Sequence, residues 1–156
     1  MSEVPDKRIY LDSNVLIYAV EGIQETAEPA RTMIRFFSAQ RGLLFTSEIT
    51  LAEVLAPSTR RGAWPLQRKR RVYLDLLVFS GMITLQPVTR DILIRTADLR
   101  KLTRLKLPDA IHLVSAVVNH CKFMVTGDNE FKKLPSGMRH IKPDEKGIEN
   151  LLRELA

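Results

Sequence analysis

The sequence has a single cysteine, Cys121, and therefore cannot form a disulfide within one chain. It also has no apolar run approaching the roughly 20 residues that a membrane-spanning helix needs. The first residues, MSEVPDKR, lack the apolar segment of a signal peptide. These absences predict a protein of the reducing cytoplasm, with no membrane span and no disulfide framework.

What remains is the composition of an ordinary globular domain. Of the 156 residues, 45% are hydrophobic and 27% are charged, close to the averages for soluble domains. A chain of this length can bury a substantial core without a structural metal or disulfides. We found no internal repeat and no linker, so we predict a single domain over residues 1–156.

The charge is unevenly distributed and favours a polyanionic partner. The formal net charge is +6 and the pI is about 9.7. Six basic residues lie on either side of a turn-like GAWP segment: Arg60, Arg61, Arg68, Lys69, Arg70 and Arg71. A solvated helix face would explain any one of them, but together they form a candidate RNA-binding cluster.

The order of apolar segments predicts short strands that alternate with helices. Strands are predicted at 8–11, 43–46, 82–85, 122–126 and 139–142. Helices are predicted from Asn14 to about Glu21, from Pro29 to Gly42, from an N-cap at Ser47 to Pro57, from Pro65 or Leu66 to Gly81, after an N-cap at Thr89, from Pro108, near Phe131 and at Ile148 to Leu155. This alternation predicts an α/β fold: a short, mainly parallel sheet with helices on both faces.

Four acidic residues fall where such a fold would bring them together. Asp12 directly follows the first predicted strand, and Asp128 follows the fourth by two residues. Glu53 lies in the helix after the second strand, and Asp109 in the first turn of the helix before the fourth. Because loops at the carboxyl ends of parallel strands form a crevice, we expect these carboxylates to meet at one edge of the sheet.

Each acid also has an ordinary structural explanation. Asp12 could cap a helix, Asp109 could interact with a helix dipole, and Asp128 could be a turn residue. Glu53 could lie on a solvated face, but its helix is otherwise almost wholly apolar. A charge there is costly unless a cation or hydrogen bonds compensate it, which favours a shared partner for the four acids.

Converging carboxylates repel one another, and a divalent cation is the simplest group that removes the repulsion. Oxygen ligands suit Mg²⁺ or Mn²⁺. Zinc would require histidines and cysteines at ligand spacing, which the three histidines and Cys121 do not provide. His112, one helical turn after Asp109, is interpreted as a packing or surface residue. A metal pocket in a basic protein favours nuclease chemistry.

Four segments resemble, in order, the acidic motifs of PIN-domain ribonucleases: YLDSNVLIY, TSEITLAEVL, LKLPDAIHLVSA and FMVTGDNEF. The overall size resembles the VapC-type toxin branch of that family. The similarity extends from Ile9 to about Phe131. It implies a metal-dependent endoribonuclease with an α/β sandwich fold. It also implies a protein that is commonly a homodimer and often inhibited by a small antitoxin protein.

The resemblance also implies roles for individual residues. The catalytic acids would be Asp12, Glu53, Asp109 and Asp128. Of these, Asp12, Asp109 and Asp128 would bind the metal, and Glu53 would position or polarise the attacking water. Asn14 and Thr126 would orient the acids. Attack by metal-activated water would leave products with 5′-phosphate and 3′-hydroxyl ends.

Two alternatives remain open from the residues alone. An aspartate after the first strand is also how aspartyl-phosphate phosphatases begin, although Asn14 stands where such enzymes usually place a second acid. The other alternative is a catalytically silent RNA-binding or partner-binding module, for which the basic cluster would suffice.

Overall fold

The structure is a computed structural model that describes residues 7–131, 134–135 and 137–156. Its strands form one five-stranded sheet in the order β3-β2-β1-β4-β5, and every neighbouring pair is parallel. The strands are β1 (Ile9–Leu11), β2 (Leu44–Ser47), β3 (Ile83–Gln86), β4 (Phe123–Val125) and β5 (Arg139–Ile141). The predicted α/β fold with a parallel sheet is confirmed.

Helices connect the strands and follow the last one. They are α1 (Ser13–Glu21), α2 (Gln24–Ser38), α3 (Ile49–Val54), α4 (Leu66–Leu74) with a π-helical segment (Asp75–Phe79), α5 (Arg90–Leu102), α6 (Leu107–Val118) and α7 (Glu145–Leu155). No helix in the described ranges is long and apolar enough to span a membrane.

The central strand β1 separates two packed layers. Ile9 and Leu11 lie in the larger apolar cluster, with residues of α1, α2 and α7. Tyr10 points to the opposite face, where it packs with Phe45 and Met124 against α6. All three residues of β1 are fully buried, as expected for a strand covered by helices on both faces.

Two helix starts differ from the sequence prediction. Pro29 was predicted to begin a helix, but it lies inside α2, which begins at Gln24. Proline removes the hydrogen bond to the carbonyl four residues earlier, and that residue, Glu25, is exposed, so water can replace the bond. Ser47 was predicted as an N-cap but is the last residue of β2; its hydroxyl accepts from the Ile49 amide at 3.2 Å.

The helix predicted to run unbroken to Gly81 changes geometry after α4. The Ser80 amide donates to the Asp75 carbonyl, five residues earlier, at 2.8 Å. This π-type bond marks the change of geometry. Within the π-helical segment Leu77 is buried, whereas Phe79 is 75% exposed. The helical turn predicted near Phe131 would include residues 132 and 133, which lie outside the described residues.

Candidate metal centre

Asp12 lies at the carboxyl end of the central strand and is only 3% exposed. Its Oδ1 accepts from the Ser13 amide at 2.7 Å, so it caps α1. Its Oδ2 accepts from the Thr126 hydroxyl at 2.7 Å and from Asn14 Nδ2 at 3.2 Å. Asp12 is therefore both a helix cap and part of a buried polar cluster, and the two interpretations of this residue are compatible.

Thr126 connects two of the predicted acids. Its buried hydroxyl donates to Asp12 Oδ2 and accepts from the Asp128 amide at 3.0 Å. Asn14 strengthens the same junction, because its Oδ1 accepts from the Gly127 amide at 3.2 Å. The loops after β1 and β4 are thus tied together at neighbouring strand ends.

A third acid comes from α6. Asp109, in the first turn of that helix, has a carboxylate oxygen within 4.8 Å of oxygens from Asp128 and Glu130. Sequence analysis did not select Glu130. Its position two residues after Asp128 was the available signal, and its amide donates to Asp128 Oδ1 at 2.9 Å.

The surroundings of Asp109 disfavour its ionised form. The pKa of Asp109 is raised from 3.8 to about 6, first by burial and then by the negative charges of Asp12 and Asp128. Glu130 acts in the same direction more weakly, while His112 opposes it. The cluster therefore carries a repulsion that a bound cation would relieve.

Glu53 joins the cluster through a histidine. His112 is fully buried, with Nε2 2.5 Å from Glu53 Oε1 and 3.6 Å from Asp12 Oδ1. The charge on the apolar helix α3 is thus compensated by a hydrogen bond. The interpretation of His112 as a packing or surface residue missed this bridging position, although its place one helical turn after Asp109 puts both on one side of α6.

Tyr10 fixes the other side of the imidazole. Its hydroxyl lies 2.7 Å from His112 Nδ1. Burial raises the pKa of Tyr10 well above its ordinary value, and the charge of Asp12 raises it further, so the phenol stays neutral. The Glu53 carboxylate only accepts hydrogen bonds, so Nε2 carries a proton. Both ring nitrogens are occupied, and His112 is not open to bind a metal.

The donor set fits a hard divalent cation. Asp109, Asp128 and Glu130 offer carboxylate oxygens within 4.8 Å of one another, and Thr126 joins Asp12 to this cluster. Oxygen-only ligation suits Mg²⁺ or Mn²⁺ and disfavours zinc. The four acids predicted from the sequence all lie at this end of the sheet, with Glu53 joined through His112.

The basic cluster does not form one surface. Arg60 and Arg61 are exposed and line a cavity of about 420 Å³ that also touches Glu53. Arg70 and Arg71 line a different cavity together with Phe79. These four candidate RNA-binding residues are therefore divided between two cavities.

Lys69 differs from the arginines because its side chain is only 6% exposed. Its Nζ lies 3.1 Å from the Ala56 carbonyl and 3.7 Å from Glu21 Oε1. Glu21 also accepts from the Tyr73 hydroxyl. This lysine thus ties α4 to α1 and to the end of α3, and its charge is compensated inside the protein.

Comparison with known proteins extends this picture. A PIN domain family model matches residues 9–136. The chain is similar to a chain of a toxin-antitoxin complex from Klebsiella pneumoniae, with 25% identity and a TM-score of 0.64, over 88% of this chain and 98% of that one.

A chain of VapBC2 from Rickettsia felis, bound to a DNA fragment from its promoter, shares the fold with 16% identity and a TM-score of 0.62, over 86% of this chain and 97% of that one. No curated protein matches the sequence. The PIN domain match covers well over half of the sequence and includes every acid of the cluster, and the chain belongs to the PIN domain family.

Proposed function

We propose that this chain is a divalent-metal-dependent endoribonuclease and the toxin of a toxin-antitoxin pair. PIN domains are typically nucleases. The observation that carries the proposal is the cluster of Asp109, Asp128 and Glu130, which Thr126 joins to Asp12 at the carboxyl ends of β1 and β4. Mutually repelling carboxylates that are buried, as in Asp12, or partly buried, as in Asp109 and Asp128, reduce stability and are suitable for holding a cation that acts on a phosphodiester.

The roles follow from the contacts. Asp12, Asp109 and Asp128 would hold Mg²⁺ or Mn²⁺, which when bound supplies activation of water and neutralisation of phosphate charge. Glu53 would accept a proton from the attacking water: His112 fixes its Oε1, and its side chain is 31% exposed.

Thr126 and Asn14 keep the Asp12 carboxylate in place through hydrogen bonds to Oδ2. These roles require no covalent enzyme intermediate.

RNA is the proposed substrate on two grounds. The formal net charge of +6 attracts a phosphodiester chain towards the acidic centre. The four acidic motifs resemble those of PIN-domain ribonucleases, which favours RNA over DNA. The exposed Arg60 and Arg61, close to Glu53, are the proposed positions of contact with the RNA backbone.

The similarity to a chain of a toxin-antitoxin complex supports a small antitoxin protein as partner. We further propose a homodimer in the cytoplasm. Pairing of two copies would remove exposed apolar side chains from water, such as Ile94 at 58% and Leu102 at 87% exposure on α5.

Cleavage of a defined RNA by the purified protein tests the proposal. We expect cleavage with Mg²⁺ or Mn²⁺, loss of cleavage in chelator, and recovery when the metal is restored. End mapping should give 5′-phosphate and 3′-hydroxyl termini, and DNA of the same sequence should be cut far more slowly. An Asp128→Asn variant purified in parallel controls for contaminating nucleases. Chelator-resistant cleavage or 2′,3′-cyclic phosphate ends would contradict the mechanism.

Thr126→Val tests the positioning of the acids. Valine keeps the shape of threonine but leaves Asp12 Oδ2 without its donor and the Asp128 amide without its acceptor. We expect unfolding free energy to fall by about 1–3 kcal/mol and kcat to fall roughly 10- to 100-fold, as for groups that orient metal ligands.

Thr126→Ser is the matched control for this variant, since it retains the hydroxyl, and it should stay close to wild type in kcat. Equal kcat for the valine and serine variants, measured well below their melting temperatures, would remove Thr126 from the proposed arrangement.

A further inference from the structure

The cavity beside Glu53 is lined by basic and aromatic residues, unlike the acidic centre. It measures about 420 Å³, within the range of small-molecule sites. Its lining includes Tyr18, Glu53, Arg60, Arg61, Trp64 and Lys69. A ligand in this cavity would therefore lie next to Glu53, which His112 joins to the acidic centre.

Trp64 supplies an aromatic wall. It is the only tryptophan in the chain and is partly buried. The guanidinium carbon of Arg68 lies 3.6 Å from the centre of its ring, a stacked arrangement that holds the indole in place. An aromatic ring set among arginines is the usual platform for an unpaired nucleobase.

Two of the positive charges at this cavity have no ion-pair partner in the described part of the chain. Lys69 faces Glu21, and Glu53 is hydrogen-bonded to His112. Arg60 and Arg61, in contrast, form no ion pair with any residue in the described part of the chain. An anion entering the cavity would therefore meet exposed cations whose charge is not already compensated.

A tight turn presents these arginines. The Ala63 amide donates to the Arg60 carbonyl at 3.0 Å, and Gly62 has a φ of +80°. That left-handed backbone favours glycine, and it places Arg60 and Arg61 at the exposed tip of the turn. Trp64 follows at once, so one short segment carries both the cations and the ring.

We propose that this cavity binds a nucleotide of single-stranded RNA next to the cleaved phosphate, with the base stacked on Trp64 and backbone phosphate held by Arg60 and Arg61. The inference rests on the proposed function, since it assigns the substrate's neighbouring nucleotide to a subsite of the same centre. An acidic peptide from a protein partner is the competing occupant, but the stacking ring favours a base.

The single tryptophan allows a direct test. In chelator, where the proposed cleavage is off, we expect a short single-stranded RNA of mixed sequence to change Trp64 emission saturably. An acidic peptide of equal charge should change it much less. A change in emission equal to or greater with the peptide would overturn the proposal in favour of a protein occupant.

Binding of fluorescently labelled RNA, followed by anisotropy, separates the residues. Trp64→Ala is expected to weaken binding about 5- to 100-fold, and Trp64→Phe much less, because phenylalanine keeps a stacking face. Arg60→Ala with Arg61→Ala should weaken binding about 10-fold or more and reduce its salt dependence. Melting curves establish that each variant is folded.

Arg70→Ala with Arg71→Ala is the matched control, since it removes the same charge from residues that line another cavity. We expect it to weaken RNA binding much less than the Arg60 and Arg61 pair. An equal or larger loss in this control, or RNA binding with unchanged Trp64 emission, would overturn the proposal.

The two proposals fail separately. A change in Trp64 emission on RNA binding, without metal-dependent cleavage, would leave the nucleotide subsite standing and remove the nuclease assignment. If cleavage depends on metal but its rate is unchanged in Trp64→Ala, the nuclease assignment stands and the proposed nucleotide subsite is wrong.

Discussion

Replacing Asp109 by asparagine is expected to make the metal-free protein more stable while nearly abolishing RNA cleavage. In the fold, burial of this carboxyl, together with the charges of Asp12 and Asp128, raises its pKa to about 6. Asparagine has a similar shape and no charge. A substitution that removes this repulsion should therefore relieve the fold and disable the site.

The pH dependence follows from the direction of the shift. The folded protein holds the Asp109 proton more tightly than the unfolded chain, whose ordinary value is 3.8. The metal-free protein therefore loses stability as the pH rises from about 4 to about 6, and the loss persists above that range. Asp109→Asn lacks this loss, so its advantage should appear above about pH 6 and fade near pH 4.

Melting curves in chelator, recorded near pH 4 and above about pH 6, measure this difference in stability between wild type and Asp109→Asn. Added Mn²⁺ should raise the melting temperature of wild type but not of the variant. We expect cleavage to fall at least about 100-fold, because metal-assisted charge stabilisation is worth several kcal/mol and each 1.4 kcal/mol is tenfold. Asp98→Asn is the control, since Asp98 is an exposed acid paired with Lys101 on α5. A metal-free Asp109→Asn protein less stable than wild type would contradict the electrostatic account.

His112→Ala is expected to reduce both stability and cleavage. The imidazole is fully buried and joins Tyr10 to Glu53. Its removal leaves a cavity and deprives two polar groups of their partner, which together cost about 3–5 kcal/mol. Glu53 would also lose the hydrogen bond that fixes its carboxylate, so we expect kcat to fall about 10- to 100-fold.

Leu113→Ala separates these two consequences. Leu113 is the next residue of α6, is 1% exposed, and packs in the apolar cluster with Tyr10 and Met124. We expect chemical denaturation to show a loss of about 2–5 kcal/mol for this variant but a near-normal kcat at temperatures where it is folded. If both variants lose kcat equally, His112 contributes only packing.

The local features of the fold were predictable from the sequence because short-range patterns determine them. Thr89 was predicted as an N-cap, and its hydroxyl accepts from the Ile92 amide at 3.2 Å. Pro108 lies in the first turn of α6, where its missing amide costs nothing. Pro29 was interpreted in the same way as a helix start, but it lies inside α2, which begins at Gln24 without a side-chain cap that the sequence could signal.

The candidate site was predictable only where a residue's place along a strand determines its position in space. Asp12 and Asp128 follow β1 and β4, which turn out to be neighbours. The contact between His112 and Glu53 joins residues 59 positions apart and depends on how α3 and α6 pack. The buried pair of Lys69 and Glu21 depends likewise on α4 packing against α1, which no local pattern encodes.

The central claim is that Asp12, Asp109 and Asp128 together hold a divalent cation. Anomalous diffraction from crystals grown with Mn²⁺ locates the ion directly. We predict a manganese peak in contact with carboxylate oxygens of all three residues, and no peak there in the Asp109→Asn variant. A manganese peak at another place only, or no peak at these carboxylates in saturating Mn²⁺, would contradict the account.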